Sequence, residues 1–134
     1  MLVFTGDINL TDWYFNVGFG IGTRIANGFD PFRKLNRNAY DLWVGNFEGV
    51  ASNVTDKVGY DGEVFRVQPR VLQNLNHFDV YGLANNHVMQ HGKEAYQQTF
   101  DAICGYGSNC FGANRQKSVI MKHQGKMVSF TGVS

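Results

Sequence analysis

Three short polar clusters, each directly behind an apolar run, hold the residues that could do chemistry. They are Gly6-Asp7, Asn46-Phe47-Glu48 and Asn85-Asn86-His87. Together they offer carboxylates, amide oxygens and an imidazole, a mixed oxygen and nitrogen donor set suited to a divalent transition metal. Read singly, each has a plain structural use. Asn85-Asn86-His87 makes a polar turn with His87 as a capping or satisfied histidine, and Asp7 caps the backbone of its own turn. A shared site accounts for all three at once. Parallel strands joined by helices end on one edge of a sheet, and in open α/β folds that carboxyl edge is where ligands collect.

The elements that must position these clusters come next. Leu2-Val3-Phe4, Leu42-Trp43-Val44-Gly45 and the run Val80, Tyr81, Leu83 and Ala84 barely alternate, so they read as short buried strands. Asp7 and Asn9 are two apart, as are Asn46 and Glu48, so each pair can share one side of an extended chain. Gly6 lets the backbone turn closely beside Asp7. Between Thr11 and Asn27 lie Trp13, Tyr14, Phe15 and Phe19 among glycines, with no clean period. That predicts a long aromatic loop. Gly18-Phe19-Gly20-Ile21-Gly22 lacks the strand before and the helix after that a dinucleotide fingerprint needs.

Asp30-Pro31 predicts a short helix with Asp30 as its cap. Glu63 to Val67 predicts a strand, and Pro69 onward a helix with Val71, Leu72 and Leu75 inward. His77 reads as a cap at that helix's end. Lys93 to Ile103 predicts another helix, stopped by Gly105 and Gly107. Asn109 to Gly112 reads as a brief strand. Ser118 to His123 and Lys126 to Thr131 flank Gln124-Gly125 and predict a hairpin.

With 134 residues, 43% hydrophobic and 14% aromatic, the chain is one domain or part of one and can bury a real core. A net charge of +1 without a Lys/Arg stripe argues against a nucleic-acid partner. No apolar stretch approaches the ~20 residues of a membrane span, and the N-terminus lacks a signal-peptide layout. That fits either a cytosolic start or a removed leader, anchor or upstream sequence. Cys104 and Cys110 do not make a tetrahedral zinc site. A disulfide across their loop is one option; the preferred reading puts Cys104 on a helix's core face and Cys110 at a strand start.

Several motifs taken together resemble one known family. They are Phe4-Thr5-Gly6-Asp7, the run from Asp41 through Asn46-Phe47-Glu48-Gly49, Phe65-Arg66 before Pro69, and Leu83-Ala84-Asn85-Asn86-His87. Gly92 and Gly112-Ala113 also fall where that family has glycine-bearing turns. The resemblance is to the poly-gamma-glutamate capsule biosynthesis protein CapA family, within the calcineurin-like metallophosphoesterases, and it covers nearly the whole chain.

The resemblance implies an α/β fold, a metallophosphoesterase-like α/β sandwich. Residues 1–134 would form a single domain of that type, truncated at its C-terminal side, with the family's later histidine motifs beyond residue 134. It implies divalent metal ions, two of them (Mn, Fe or Zn), with Asp7, Asn46, Glu48 and Asn86 as metal ligands. His87 would be the catalytic group that stabilises a transition state or protonates a leaving oxygen. Asn9 lies where related phosphoesterases use histidine. An anionic polymer or phosphate ester is the implied substrate, with a membrane-associated synthase as partner and a membrane or cell-surface location.

One departure stands out. Family members usually continue Asn-Asn-His with an aspartate and an aromatic before the glycine, where this chain has Gln90 and His91. His91 reads as a solvent-facing loop histidine, with a substitute ligand as the alternative. Three functions follow: a CapA-like role in making or exporting the polymer, a general metal-dependent phosphoesterase acting on small esters, or a metal-free scaffold. Half of a sandwich would also expose apolar sheet and associate, as a homo-oligomer for instance.

Overall fold

The structure, a computed structural model, describes residues 1–11, 20–55, 65–114 and 116–133. In chain order its elements are β1 (Leu2–Ile8), α1 (Ile21–Ala26), β2 (Leu42–Phe47), β3 (Val50–Ala51) and β4 (Arg66–Val67). A 3-10 helix (Pro69–Asn74), β5 (Val80–Gly82), α2 (Gly92–Gly105), β6 (Asn109–Phe111), β7 (Ser118–His123) and β8 (Lys126–Thr131) follow. β1, β2, β5 and β6 lie side by side in that order, every neighbouring pair parallel. The fold is α/β, of the metallophosphoesterase-like kind.

The sheet is covered on both faces, which explains why its strands are apolar without alternation. Successive side chains of a strand point to opposite faces. Trp43 and Phe47 of β2, Tyr81 of β5 and Cys110 of β6 join Ile25, Val71, Leu72, Tyr96 and Ile103 in one cluster, under the helices. Leu42, Val44 and Val80 join Val119 and Phe130 of the β7–β8 hairpin in a second. Burying such side chains contributes about 1.5–3 kcal/mol each. The hairpin turns at Gln124 (φ 48°) and Gly125 (φ 79°), both left-handed as a two-residue hairpin turn requires.

Among the described residues cover is thinnest at β1. Leu2 and Phe4 stand 40% and 65% exposed, and Phe4 meets the Phe130 ring edge-on, ring centres 6.2 Å apart. At the opposite, amino edge of the sheet Asp79 is a fixed point. Its Oδ1 accepts from the Arg37 guanidinium at 2.7 Å and its Oδ2 from the Trp43 backbone N–H at 2.7 Å. Arg37 also donates to the carbonyls of Asn76 and His77, so it gathers the whole entry to β5.

Several local expectations need correction. Ile21–Ala26 is helical rather than loop, held by buried Ile25. The aromatic-loop reading at Trp13, Tyr14, Phe15 and Phe19 lies outside the described residues, as do Glu63 and Val64 of the expected strand. Asp30-Pro31 starts a turn and no helix: Asp30 Oδ1 accepts from the Phe32 N–H at 2.8 Å, closing an Asx-turn. His77 Nε2 lies 3.5 Å from Asp30 Oδ2, so it meets that turn instead of capping a helix. Cys104 is exposed rather than core, whereas Cys110 is buried in β6, and both are free thiols. Among the described residues no helix is long and apolar enough to cross a membrane.

Backbone contact sets the approach of the hairpin. A Cβ on Gly132 would sit 2.3 Å from Gly112 Cα and 2.9 Å from the Ala84 methyl. Gly132→Ala is therefore expected to lose about 1–3 kcal/mol in urea denaturation. Gly105→Ala, whose Cβ meets nothing within 4 Å, should stay within about 0.5 kcal/mol of wild type. The thiols give a second test. Burial first, then the neighbouring Cys104, push the Cys110 thiol up and away from the reactive thiolate. Iodoacetamide should modify Cys104 alone in the folded protein, and both cysteines only in denaturant, as read by mass spectrometry.

Candidate metal centre

A β-bulge delivers the first carboxylate. Phe4 pairs with Val44 and Asp7 with Asn46, so β1 spends two residues, Thr5 and Gly6, opposite the single Gly45. Gly6 takes φ 75°, which glycine adopts without penalty. Without that extra residue Asp7 would fall opposite Phe47 and face the helices. With it, Asp7 stands beside Asn46.

Asn46 is the hub. Its Nδ2 donates to Asp7 Oδ1 at 2.7 Å, and its Oδ1 accepts from Asn85 Nδ2 at 3.2 Å. Asn85 Nδ2 also donates to the Phe47 carbonyl at 2.8 Å, while Asn85 Oδ1 accepts from the His87 backbone N–H at 3.0 Å. Three strand ends are thus tied across the sheet by two amide side chains. Glu48 follows β2, its N–H bonded to the Ile8 carbonyl at 3.1 Å.

His87 completes the group. Its Nε2 lies 3.9 Å from Glu48 Oε1 and 3.1 Å from Asn86 Nδ2. A neutral imidazole protonated on Nδ1 accepts the Asn86 bond; a charged one finds the Glu48 carboxylate beside the same nitrogen. The ring is largely buried, with the Phe65 ring against it at 4.0 Å between centres. Asn86 itself is exposed, with its amide nitrogen engaged by His87, so its carbonyl oxygen is the atom with which it could meet a cation.

The five residues singled out from sequence, Asp7, Asn46, Glu48, Asn86 and His87, all lie at this edge. Others do not join it. Asn9 Oδ1 accepts from the Thr11 N–H and hydroxyl, a local turn. Arg66 donates to the Ser52 carbonyl at 3.0 Å and serves the β3–β4 pair. His91, expected to face solvent, is only 3% exposed, because the turn after β5 folds under the start of α2. Asn85 belongs to the third cluster but not to the implied ligand set, and Phe65 stands among the motifs without a site role. Asn85 was legible as the first polar residue past an apolar strand; Phe65 carried no such signal, because its role depends on a distant turn.

Among the described residues no three His, Cys, Asp or Glu side chains gather closely enough to form a metal-holding group by themselves. The amides change the count. Carboxylate oxygens from Asp7 and Glu48 and amide oxygens from Asn46 and Asn86 make an oxygen-rich set, which fits a divalent cation. The site also opens onto a mainly apolar cleft of about 370 Å³ between Phe4, Val44, Gly82 and Phe111.

The parallel sheet with its polar carboxyl edge defines a metallophosphoesterase-like α/β protein. The family model described as Bacterial capsule synthesis protein PGA_cap matches residues 1–134, the whole chain, and the chain belongs to that family. No curated protein matches it.

The Asp7–Asn46 contact can be tested through its charge. Asn46→Asp would put two carboxylate oxygens at hydrogen-bond distance, raising the folded pKa of the shared proton above its unfolded value. The added repulsion is absent below the unfolded carboxylate range, roughly pH 4, and grows as pH rises through it. In buffer free of divalent ions and of low ionic strength, the variant should trail wild type by about 0.5 kcal/mol at neutral pH, since Asp7 is exposed and solvent screens the pair. It should recover at acid pH, as read by denaturation at each pH.

Proposed function

We propose that the carboxyl edge of β1, β2 and β5 is a metal site serving the synthesis or export of an anionic γ-linked glutamate capsule polymer. Family membership ties the chain to capsule synthesis. The hydrogen-bonded series Asp7, Asn46, Asn85, with Glu48 and His87 beside it, is the observation that carries the finer reading. Asp7, Asn46, Glu48 and Asn86 would hold divalent ions, two of them, drawn from Mn, Fe or Zn. Bound ions supply Lewis-acid polarisation of a phosphoryl or carbonyl oxygen and an activated water.

The chain's own residues prepare that chemistry. Asn85 fixes the Asn46 amide, so the Asn46 oxygen and the Asp7 carboxylate keep one spacing. His87 would hold or give up a proton at Nε2 beside a leaving oxygen, with Glu48 Oε1 3.9 Å from that nitrogen. Asp7 and Glu48 alone would repel a polyanion; bound cations reconcile the site with such a substrate. The uncovered Leu2 and Phe4 side of β1 suits self-association or a membrane-associated synthase in the same role.

Elemental analysis of the purified chain, beside an Asp7→Ala/Glu48→Ala double variant, tests the reading. Stoichiometric Mn, Fe or Zn in wild type that is lost from the double variant is the expected result. No metal in either protein would sink the metal site and leave a scaffold role. Mn-dependent turnover of a generic phosphodiester, without binding of a γ-linked glutamate polymer, would shift the substrate to small phosphate esters.

A further inference from the structure

Gln90 stands where the resemblance leads one to expect the acidic residue of the turn, and it is 3% exposed. A buried glutamine must place its polar atoms on partners. Its side-chain Oε1 accepts from the Phe65 backbone N–H at 3.1 Å, across 25 residues of sequence. Its own backbone N–H donates to the His87 carbonyl at 3.0 Å. Phe65 in turn lays its ring against the His87 imidazole, 4.0 Å between centres at 42°. A closed circuit results: His87 main chain, Gln90, Phe65, and back to the His87 ring.

The far side of Phe65 is anchored to the other arm of the site. Its carbonyl accepts from the Val50 N–H at 2.7 Å, directly after Glu48-Gly49. Gly49 sits at φ 140°, and a Cβ there would fall 2.6 Å from the Phe65 oxygen. Phe65 is therefore wedged between the turn carrying Glu48 and the turn carrying His87. From the His87 side the Gln90 side chain, which stands in place of the acid the resemblance leads one to expect, holds the Phe65 N–H.

We infer that Gln90 is a positioning residue for His87, holding Phe65 against the imidazole and so setting the imidazole's approach to Glu48. The inference rests on the proposed role of His87 but concerns geometry that exists without metal. A neutral amide acceptor does this work without adding a third negative charge beside Asp7 and Glu48. Loss of the acceptor would orphan a backbone N–H and release the Phe65 ring.

The test uses metal-free protein with labelled histidine, observed by NMR. An aromatic ring stacked on His87 displaces the His87 ring-proton resonances, and Phe65→Leu defines their position without it. Gln90→Met, of similar shape but without the acceptor, is expected to move them toward the Phe65→Leu position. Gln90→Glu, which keeps an acceptor oxygen, is expected to retain the wild-type position. Resonances of His77 and His123 serve as internal markers of an intact fold.

A folded Gln90→Met that keeps the wild-type His87 position overturns the inference, and so does a folded Gln90→Glu that loses it. Should neither variant fold, hydrogen exchange on wild type decides. A protected Phe65 amide supports the bond to Gln90, and one exchanging at the rate of an open loop overturns it. Metal analysis distinguishes this from failure of the proposed function. A chain that binds no metal but shows the His87 response loses the function and keeps the positioning role, and the reverse pattern removes Gln90 alone.

Discussion

Two asparagine side chains decide how this sheet ends. Each amide carries one acceptor and one donor group on a fixed plane. Asn46 uses both sides of that plane, toward Asp7 of β1 and toward Asn85 beyond β5. An aliphatic residue in its place would cut the link between β1 and β5, leaving Asp7 to water and the Asn85 Nδ2 with the Phe47 carbonyl alone. The chain of bonds also depends on the bulge at Thr5-Gly6, since register alone would turn Asp7 to the other face. Site and sheet therefore rest on the same irregularity.

The opposite edge is held by a different device. There a carboxylate, Asp79, accepts from a guanidinium and from a neighbouring strand's N–H, so charge and backbone direction meet at one residue. The two edges divide the labour. Arg37 and Asp79 fix where β5 begins relative to β2, and the amides fix where both end. Between them lie the fully buried Val80 and Tyr81, with the Tyr81 hydroxyl donating to the Leu75 carbonyl at 3.1 Å. Burial raises that phenol's pKa, and the bond satisfies it as a neutral donor.

Most strands were legible because burial on both faces writes an unbroken apolar run, as in Leu42-Trp43-Val44. The hairpin was legible because Gln124-Gly125 supplies the turn chemistry within the local sequence. What escaped belongs to partners rather than to segments. Six-residue α1 starts after Gly20 and holds Gly22 within it, both of weak helix propensity, and owes its order to Ile25 in the core. Asp30-Pro31 carries the signs of a helix start, yet the same Asx bond serves a plain turn. The bulge is a relation between β1 and β2, invisible in either alone. The burial of His91 follows from how one turn packs, which no periodicity encodes. At the carboxyl edge, residue types marked which strand ends carry polar groups, while which of Asn85 and Asn86 is tied to Asn46 needed the geometry.

The order of the sheet has a consequence for how the molecule is made. Strands β1, β2, β5 and β6 lie side by side in the sequence in which they are synthesised. Each new strand finds its partner already present, at the open edge of what has emerged, and no later strand must be inserted between earlier ones. Vectorial synthesis at ~5–20 residues per second gives each docking step seconds before the next strand arrives. Asp7 and Asn46 can meet before Asn85 exists, Asn85 then closes the row, and the β7–β8 hairpin follows to cover a face whose four strands are already made. The site is thus assembled stepwise, from its outermost carboxylate inward, in step with translation.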